Sequence, residues 1–597
     1  MISPPQPATD PLARFSVRIR RLFEDGAKAD IDRMLDALAL ARGHTTPAEV
    51  ARFKAALPQL DNPFPSIPGS EFAMERIQRA IERKEKIVIL GDYDVDGIIS
   101  TVLMFEFLTR AGDKPACFIP DRIEDDYGLT QKAADKCIEE HHPALIISVD
   151  CGSPSIDVIA GLKARGVDTI VLDHHSIGNP NAKHPSLAHL NPKAWPGHSN
   201  LVDEAADLCA GGLVFFFLDY LSQTIGATGW CRDRALILAG IASVVDVMPL
   251  VHANRSLVKH SLSRANTREG RALIPGISAL LEKAGASEFT VRTYGWVIGP
   301  HLNAAGRIAH ARIAANLVAA RSMATIADGV EELVATNRDR KQVQERVQDE
   351  AMKQATELIE ACPDRRFLVL YGKDWHPGVV GIVAGRVRER FRLPAIVCGL
   401  HPDGGFWKGS ARSIGGCDLG ALIHGAVAAK AILGGGGHKA AAGVRVGLGQ
   451  EESFRAWLEE ATTGMVWDKI DTIEIIGDYQ DLPPGEWSRL IQRAGPFGNA
   501  SPEPAMLVRQ AVSIGATRTL KTNANGRIFG LSFAVRTPNA REYNLTWLGL
   551  SSPEDLLAAE ALLRHGKPMD FAVRQTMRER DGMTYTNLEL AGLPALS

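Results

Sequence analysis

The 597-residue sequence lacks several features that would assign it to a specialised class of protein. Its eight cysteines include no C-x-x-C pair, which argues against a zinc ribbon and favours reduced thiols in the cytoplasm. No uninterrupted apolar run reaches the ~18 residues that a transmembrane helix needs, and the polar, proline-containing start lacks a signal-peptide core. The net charge is only −3, so no global signature of nucleic-acid binding exists, although a local basic groove would suffice. We expect a soluble protein of several domains, because single cores stop growing near ~250–300 residues.

The most informative stretch that is present runs from Lys86 to Gly97. Its aliphatic run, Ile87–Leu90, predicts a short buried strand, and an apolar helix is expected after Gly97. Between them lie three carboxylates on alternate positions: Asp92, Asp94 and Asp96. Carboxylates at the carboxyl end of a parallel strand lie where open α/β sheets bind ligands, and hard divalent cations suit carboxylate oxygen. The alternative is an acidic turn that caps the following helix.

Three further apolar segments end in the same kind of side chain. Ala144–Val149 is followed by Asp150, Asp168–Leu172 by Asp173-His174-His175, and the helical or strand-like run Leu236–Val245 by Asp246. Alternating strands and helices predict a parallel sheet, whose strand ends share one edge. Carboxylates and imidazoles gathered there would suit a two-metal site like those of phosphatases and nucleases. The alternative is that the histidines cap a loop and that Asp246 pairs with an arginine.

These segments together resemble a known family. The resemblance to the DHH phosphoesterase superfamily is carried by Asp92-Tyr-Asp-Val-Asp-Gly97, Val149-Asp-Cys-Gly152, Asp173-His-His175 and Val245-Asp246. More narrowly, Gly91–Gly97 and Gly299-Pro-His-Leu-Asn-Ala-Ala-Gly-Arg307 resemble the RecJ family of single-strand-specific 5′→3′ DNA exonucleases, from about residue 60 to the end. One departure is His301, where an arginine is expected in the family.

The resemblance implies a ligand set for two divalent ions, Mn²⁺ or Mg²⁺. One ion would be held by Asp94 and Asp150, and the other by Asp96, Asp150, His174 and Asp246. Asp92 would be a ligand or lie directly behind one, and His175 would contact the phosphate or orient a ligand. Implied substrate contacts are Arg122 with phosphate, Tyr127 with a base, and Arg307.

The second half of the chain carries a different kind of motif. Lys408–Ser413 and the glycine run Gly434–Gly443 resemble the DHH-associated domain, which in RecJ-like proteins holds the 5′ end of the strand. Four consecutive glycines let a backbone approach an anion closely, and we expect the alanines after Lys439 to start a helix. A flexible loop is the alternative. The residues implied for the terminal phosphate are Ser410, Arg412, Gly436, Gly437 and His438.

The last part of the chain predicts short antiparallel strands and therefore a small barrel. The expected strands are Thr472–Ile476, Ala505–Ala511, Ile528–Ala534, Tyr543–Leu548, Met569–Arg574 and Thr584–Leu590. The family resemblance makes this barrel an OB-fold, in which Arg518, Lys521, Arg527 and Arg536 would line a strand-binding groove. Ordinary solvated charges are the alternative. The connector Gly495–Pro504 resembles a family signature, with Ala500-Ser501 where Gly-Asn is expected.

The expected fold class is α/β: a parallel-sheet DHH domain, joined by a long helix to a smaller α/β DHH-associated domain, then an all-β OB-type barrel. The expected divisions are a helical lead-in (1–80), the DHH domain (81–324), a connecting helix (325–362), the DHH-associated domain (363–464) and the barrel (465–597). In the lead-in, Arg14–Arg21 has the basic character of a helix that meets phosphate, or of a solvated face.

The resemblance implies a metal-dependent exonuclease that degrades single-stranded DNA 5′→3′ to mononucleotides in DNA repair and recombination. Single-stranded DNA is the expected substrate, and a single-stranded-DNA-binding protein and a helicase are the implied protein partners of a monomer. Two alternatives stay open: a DHH phosphoesterase of small substrates such as cyclic dinucleotides, and a DNA-binding scaffold without catalysis. The long connector and the barrel favour a polymeric substrate, and the complete set of carboxylates and histidines favours catalysis.

Overall fold

The computed structural model describes residues 12, 15–23, 30–122, 125, 128–177, 183–402, 404–521, 528–550, 553–564, 566–580 and 583–594. Its strands are β1 (Ser16–Arg21), β2 (Ile87–Gly91), β3 (Ala116–Phe118), β4 (Leu145–Val149), β5 (Asp168–Leu172), β6 (Ala188–Leu190), β7 (Leu368–Gly372), β8 (Ala395–Leu400), β9 (Phe406–Arg412), β10 (Gly434–Gly437), β11 (Ala441–Gly447), β12 (Asp471–Asp478), β13 (Ala505–Lys521), β14 (Ile528–Arg536), β15 (Glu542–Leu548), β16 (Met569–Arg580) and β17 (Met583–Pro594).

Its helices are α1 (Ile31–Ala41), α2 (Pro47–Lys54), α3 (Ser70–Arg83), α4 (Val95–Arg110), α5 (Gln131–His141), α6 (Ile156–Ala164), α7 (Asn200–Ala205), α8 (Ala210–Leu221), α9 (Arg232–Val245), α10 (His252–Ala265), α11 (Arg268–Leu273), α12 (Pro275–Lys283), α13 (Val291–Thr293), α14 (Gly299–Ile308), α15 (Arg312–Ala319), α16 (Met323–Ala361), α17 (Val380–Phe391), α18 (Leu419–Ala428), α19 (Glu451–Ala461), α20 (Pro484–Ala494) and α21 (Pro553–Arg564). A π-helical turn, Tyr294–Ile298, leads into α14.

The chain forms two compact units. The first unit comprises residues 55–342 and 496–501, and the second comprises 1–54, 343–495 and 502–597. Helix α16 contributes to both cores: Val330 and Leu333 are buried in the first, and Val347 and Ala351 in the second. Among the helices described, none combines the length and the apolar character needed to cross a bilayer.

The first unit is built on a five-stranded, fully parallel sheet in the order β3-β2-β4-β5-β6. The central strands are buried on both faces, which is why they are aliphatic throughout rather than alternating. Odd-numbered side chains such as Ile89 and Ile147 join the large helical core, and even-numbered ones such as Val88 and Ile146 join a smaller core beneath α5 and α6. The predicted parallel sheet is confirmed.

Strand order places the candidate residues. The chain leaves β2 for β3 on one side and returns to β4 on the other, so a crevice opens between the carboxyl ends of β2 and β4. Asp92 follows β2 and Asp150 follows β4, one on each side of that crevice. Of the two alternatives left open for the run before Asp246, the structure has the helix α9, so Asp246 reaches the site from a helix end.

The second unit contains a mixed sheet in the order β10-β11-β9-β8-β7. The glycine run forms strand β10 and pairs with β11, so it is not a loop. The helix expected after Lys439 is wrong: Ala441–Gly447 is a strand, in which Ala442, Val444 and Val446 are buried and Gly443 and Arg445 are exposed. The segment after the glycine run therefore supplies no helix N-terminus that could bind an anion.

The remaining sheet contains all six segments expected to be barrel strands. Its pairings close on themselves, from β13 to β14, β15, β17, β16 and back to β13. The expected helix at Arg14–Arg21 is wrong over its described part, since Ser16–Arg21 is strand β1 and pairs with β12 and β17. The apolar residues Val17 and Ile19 are spaced two apart, as in a strand, and Val17 is buried. The basic residues around them obscured this strand pattern.

Candidate metal centre

The first acidic segment is both a helix start and part of a carboxylate cluster. Oδ1 of Asp94 accepts hydrogen bonds from the backbone N–H of Asp96 (3.0 Å) and Gly97 (3.2 Å), which caps α4. Gly97 is required because a Cβ there would lie 2.4 Å from the backbone oxygen of Asp92. The cap engages Oδ1 of Asp94 and leaves Oδ2 for a cation, so the two interpretations drawn from the sequence are compatible.

Asp96 and Asp150 are held rigidly at the two sides of the crevice. The carboxylate of Asp96 accepts backbone hydrogen bonds from Ala210 and Gly211, both 2.7 Å, at the start of α8. Asp150 has φ +62°, a left-handed conformation that side-chain-bearing residues adopt at a cost and that is concentrated at functional sites. Both carboxylates are at most 2% exposed.

The structure brings every predicted ligand into one cluster. Nε2 of His174 lies 3.2 Å from Asp150 Oδ1, 3.5 Å from Asp246 Oδ2 and 3.6 Å from Asp96 Oδ2. The ligand atoms fall into three groups whose members lie within 4.8 Å of one another: Asp92, Asp94 and Asp150; Asp96, His174 and Asp246; and Asp150, His174 and His175. Asp150 belongs to two of these groups, as expected of a carboxylate that bridges two ions.

The electrostatics of the cluster call for positive charge. Burial, reinforced by the charge of Asp94, raises the pKa of Asp92 to about 8 and that of Asp96 to about 6. Burial and the neighbouring carboxylates raise the pKa values of Asp150 and Asp246 well above the ordinary range. Ionised carboxylates that are this close together and shielded from solvent destabilise one another unless cations lie between them.

The residues present fit divalent metal ions. Both carboxylate oxygens of Asp92 are buried and make no hydrogen bond to any described residue. Buried polar atoms almost always have a partner, and these two oxygens are available to a cation. The donor set of carboxylate oxygens with an imidazole nitrogen suits Mg²⁺ and Mn²⁺.

One residue that organises this centre was not singled out in the sequence. Oδ1 of Asp173 accepts hydrogen bonds from the backbone N–H of His174 (2.8 Å) and from Nδ1 of His175 (2.7 Å). Burial alone would raise the pKa of Asp173, but the hydrogen bond and charge of His175 hold it below its ordinary value. Burial lowers the pKa of His175, yet Asp173 outweighs this and raises it. Asp173 therefore fixes the ring of His175 against the cluster.

Two further residues hold the histidine backbone. The side chain of Asn191 donates to the carbonyl of His175 (2.9 Å), and Nζ of Lys193 donates to the carbonyl of His174. Both follow β6, the strand next to β5, on the same edge of the sheet. The position of Asn191, a polar residue directly after another parallel strand, was the sequence signal that could have indicated this role.

The predicted substrate-binding residues of this unit are only partly placed. Arg122 lies over the ring of Tyr93, 4.8 Å from Cζ to its centroid, beside Asp92. Arg307 lies in the last turn of α14. This turn packs closely against the acidic segment, since a Cβ on Gly306 would lie 2.4 Å from the backbone oxygen of Tyr93. Tyr127 lies outside the described residues.

His301, the departure from the family pattern, bonds within its own helix. Its Nδ1 lies 2.7 Å from the carbonyl of Val297. Burial lowers the pKa of His301, and the charges of Lys341 and Arg340 act in the same direction. A neutral imidazole replaces the permanent charge that an arginine would carry there.

The predicted phosphate-binding residues of the second unit meet on one sheet. Ser410 on β9 is level with Gly443 on β11, which is level with Gly436 on β10. A Cβ on Gly436 or Gly443 would meet no atom within 4 Å, so this row is open. Gly437 occupies the next position of β10, and His438 begins the turn to β11, donating its N–H to the carbonyl of Ala441.

An arginine and a helix end complete this second cluster. Nη1 of Arg412 donates to Oγ of Ser410 (3.3 Å). A Cβ on Gly381, in the first turn of α17, would lie 3.0 Å from Oγ of Ser410 and 3.1 Å from Nη2 of Arg412. A guanidinium, a hydroxyl and a helix N-terminus around an open glycine surface form a setting suited to a phosphate.

The basic residues predicted for the barrel groove are less informative. Arg536 pairs with Glu542 in adjacent strands (2.7 Å), so its charge is partly neutralised. Arg518 lies on β13 opposite Ser532 of β14. Nothing is described for the side chain of Lys521, and Arg527 lies outside the described residues.

Comparison with known proteins agrees with this geometry. Residues 86–240 match the DHH family, N-terminal domain, and residues 364–463 match the DHHA1 domain. The chain is 31% identical over 504 residues to the single-stranded-DNA-specific exonuclease RecJ of Bacillus subtilis, covering 82% of this chain and 61% of that protein. It is 31% identical over 500 residues to the protein of the same name from Salmonella typhimurium, covering 80% of this chain and 83% of the relative.

A solved structure matches the fold over nearly the whole chain. The crystal structure of RecJ in complex with Mn²⁺ from Thermus thermophilus superposes with a TM-score of 0.76 at 24% identity, covering 97% of this chain and 80% of that one. This match supports the α/β fold, and the two domain matches lie in the order expected from the sequence. With 31% identity over 83% of the Salmonella relative, the chain belongs to the RecJ family.

Proposed function

We propose that this protein is a metal-dependent, single-stranded-DNA-specific exonuclease that degrades its substrate 5′→3′ to mononucleotides in DNA repair and recombination. The observation that carries the proposal is the largely buried cluster of Asp92, Asp94, Asp96, Asp150, His174 and Asp246, whose ligand atoms form overlapping groups within 4.8 Å. The relatives named single-stranded-DNA-specific exonuclease share 31% identity with the chain.

The proposed ion ligands combine these groups, with Asp150 added to the second set because its Oδ1 lies 3.2 Å from Nε2 of His174. Asp94 and Asp150, with Asp92, would hold one Mn²⁺ or Mg²⁺ ion, and Asp96, Asp150, His174 and Asp246 would hold the second. Bound divalent ions supply a water of lowered pKa and neutralise charge on the leaving oxygen. His175, whose Nδ1 is engaged by Asp173, would use Nε2 to contact the scissile phosphate.

The proposed substrate contacts lie in both units. Arg122 and Arg307, near the acidic segment, would neutralise backbone phosphates, and Tyr127 would stack on a base. Ser410, Arg412, Gly436, Gly437 and His438 would hold the 5′-terminal phosphate in the second unit. The open glycine row supports this role, because it lets phosphate oxygens come close to a backbone.

The finer architecture is also proposed. The closed circuit of pairings through strands β13 to β17 supports an OB-type barrel for residues 465–597. Helix α16 supports a connecting helix at 325–362. The DHH and DHH-associated domains would span 81–324 and 363–464. Eight free cysteines fit a cytoplasmic location. A single-stranded-DNA-binding protein and a helicase are the proposed partners of a monomer.

The test is a product ladder. Metal-free protein receives Mn²⁺ or Mg²⁺ and a single-stranded oligonucleotide labelled at its 5′ or its 3′ end, with the duplex as comparison. We expect labelled mononucleotide at once from the 5′-labelled strand and progressively shorter products from the 3′-labelled strand. Equal degradation of duplex would contradict single-strand specificity, and hydrolysis of cyclic dinucleotides in place of the strand would favour the small-substrate alternative. Strand binding without products would indicate a scaffold.

A further inference from the structure

The connector that resembles a family signature packs beside the metal centre. Its residues Pro496–Ser501 belong to the first unit although their neighbours in sequence belong to the second. Two reciprocal backbone hydrogen bonds between Gly498 and Ser501 (2.9 and 3.1 Å) close it into a tight turn. We call Pro496–Ser501 the connector turn.

The connector turn binds the segment that follows Asp246. The backbone N–H of Leu250 donates to the carbonyl of Asn499 (2.8 Å). The side-chain Nδ2 of Asn499 donates to the carbonyl of Val247 (2.8 Å), 252 residues earlier in the chain. Gly498 lies against Leu250, since a Cβ there would be 2.7 Å from its Cδ1. Both ends of Val247–Leu250 are therefore attached to the turn.

The segment that is held is itself under strain. Asp246 is the C-cap residue directly after α9, and the backbone N–H groups of Val247 and Met248 donate to the carbonyls of Val244 and Ser243. This pattern is the Schellman motif, in which a glycine ordinarily takes the left-handed position. Here that position is Val247, with φ +58°. A β-branched residue is strongly disfavoured there, so contacts elsewhere must keep it in place.

Asp246 depends on this conformation. Its Oδ2 lies 3.5 Å from Nε2 of His174 in the cluster. If Val247 relaxed to a negative φ, the end of α9 would unwind and the carboxylate would leave that position. We propose that Asn499 is a positioning residue, which holds Val247 in its strained conformation and thereby keeps Asp246 in the metal centre. The inference rests on the proposed function.

The first test uses metal-free protein. In Asn499→Ala and in the isosteric Asn499→Asp, which loses the donor to the Val247 carbonyl, hydrogen exchange of the peptide containing 247–250 should accelerate. Mn²⁺ binding by Asn499→Ala, measured by calorimetry, should weaken about tenfold, as is typical when a residue behind a metal ligand is removed. Asn539→Ala, which removes an exposed asparagine bonded to Gln480, is the matched control and should change neither quantity.

The second test is rescue. Val247→Gly needs no support in the left-handed conformation, so Val247→Gly combined with Asn499→Ala should restore wild-type Mn²⁺ affinity and turnover. Because glycine at this position also relieves strain in the folded state, the melting temperatures of the variants are measured alongside to separate a local effect from a general gain in stability. Wild-type exchange and wild-type Mn²⁺ affinity in Asn499→Ala, or failure of the glycine to rescue, would overturn the inference. If the wild-type protein binds Mn²⁺ but degrades no single strand, the proposed function is wrong instead.

Discussion

The two candidate sites solve opposite physical problems. The metal centre gathers carboxylates at the crevice of a parallel sheet, at most 2% exposed for Asp92, Asp96 and Asp150, and so creates a demand for cations. The cluster around Ser410 and Arg412 lies on an open row of glycines and offers positive charge and donors. The buried site has no solvent to replace a missing partner, whereas water can replace one in the open site. Substitutions in the metal centre should therefore reduce activity far more than substitutions in the open site.

The largest effect is expected from Asp150→Asn. Asparagine tolerates the left-handed conformation of Asp150 and keeps its size, so the change removes chiefly the negative charge shared by two ligand groups. Single-strand degradation should fall by at least about 10³-fold, on the order of 4 kcal/mol in transition-state free energy, while DNA binding persists. Steady-state rates and a filter-binding assay measure the two.

The control for this change is Asp135→Asn, on the surface of α5. It breaks an exposed ion pair with Arg165, which contributes little to stability. Its rate should match that of the wild-type protein. Undiminished Mn²⁺-dependent degradation by Asp150→Asn would mean that the buried cluster is not the catalytic centre, and the contrast between the two sites would lose its basis.

The sequence predicted the buried site well because local rules and topology agree there. In a chain of alternating strands and helices, a short aliphatic run ending in Asp92 or Asp150 indicates a buried strand with its acid at the sheet edge. Asp246 was placed correctly in the cluster although its run proved to be a helix, because either element delivers an acid at its end. The role of Asp173 could not be predicted, since a carboxylate that orients a histidine looks the same in sequence as one that binds a metal.

The errors lie where tertiary contacts decide. Ser16–Arg21 was read by its charge, yet it is a strand because β12 and β17 supply partners from the other end of the chain. The alanines after Lys439 have high helix propensity, but pairing with β10 on one side and β9 on the other overrides it. The attachment of Asn499 to Val247, 252 residues away, could not be anticipated from either segment alone.

A smaller effect is expected on stability as a function of pH. In the metal-free protein the pKa of Asp92 is raised to about 8 and that of Asp96 to about 6, so the folded state binds more protons than the unfolded state between about pH 4 and 8. These two carboxyls make stability fall as pH rises through this window, while the lowered pKa values of His189 and His301 oppose them below about pH 6.5. The raised pKa of His175 acts in the same direction as the two carboxyls, and the lowered pKa of Asp173 acts only in more acidic solution.

Thermal melting of metal-free protein measures this dependence. We expect a loss of about 1–3 kcal/mol between pH 5.5 and 8, and recovery when Mg²⁺ is added at pH 8. Asp92→Asn, which cannot ionise, should flatten the dependence. A metal-free melting temperature that stays constant or increases over this range would show that the acids are not held in an unfavourable, cation-demanding environment.

The smallest effect is expected in the open site. Arg412→Ala removes a guanidinium that is partly exposed, so a charged hydrogen bond to a terminal phosphate should be worth only about tenfold there. We expect wild-type protein to prefer strands with a 5′-phosphate over a 5′-hydroxyl by about this factor, and the variant to lose that preference while retaining its rate on the 5′-hydroxyl strand. The matched control is Arg445→Ala. Arg445 is an exposed arginine on β11 that lies level with Lys408 and not with Ser410, so its removal should leave the preference unchanged. Should Arg412→Ala keep the wild-type preference, the 5′ end is held elsewhere, and the open glycine row serves the packing of β10 on β11 rather than the recognition of phosphate.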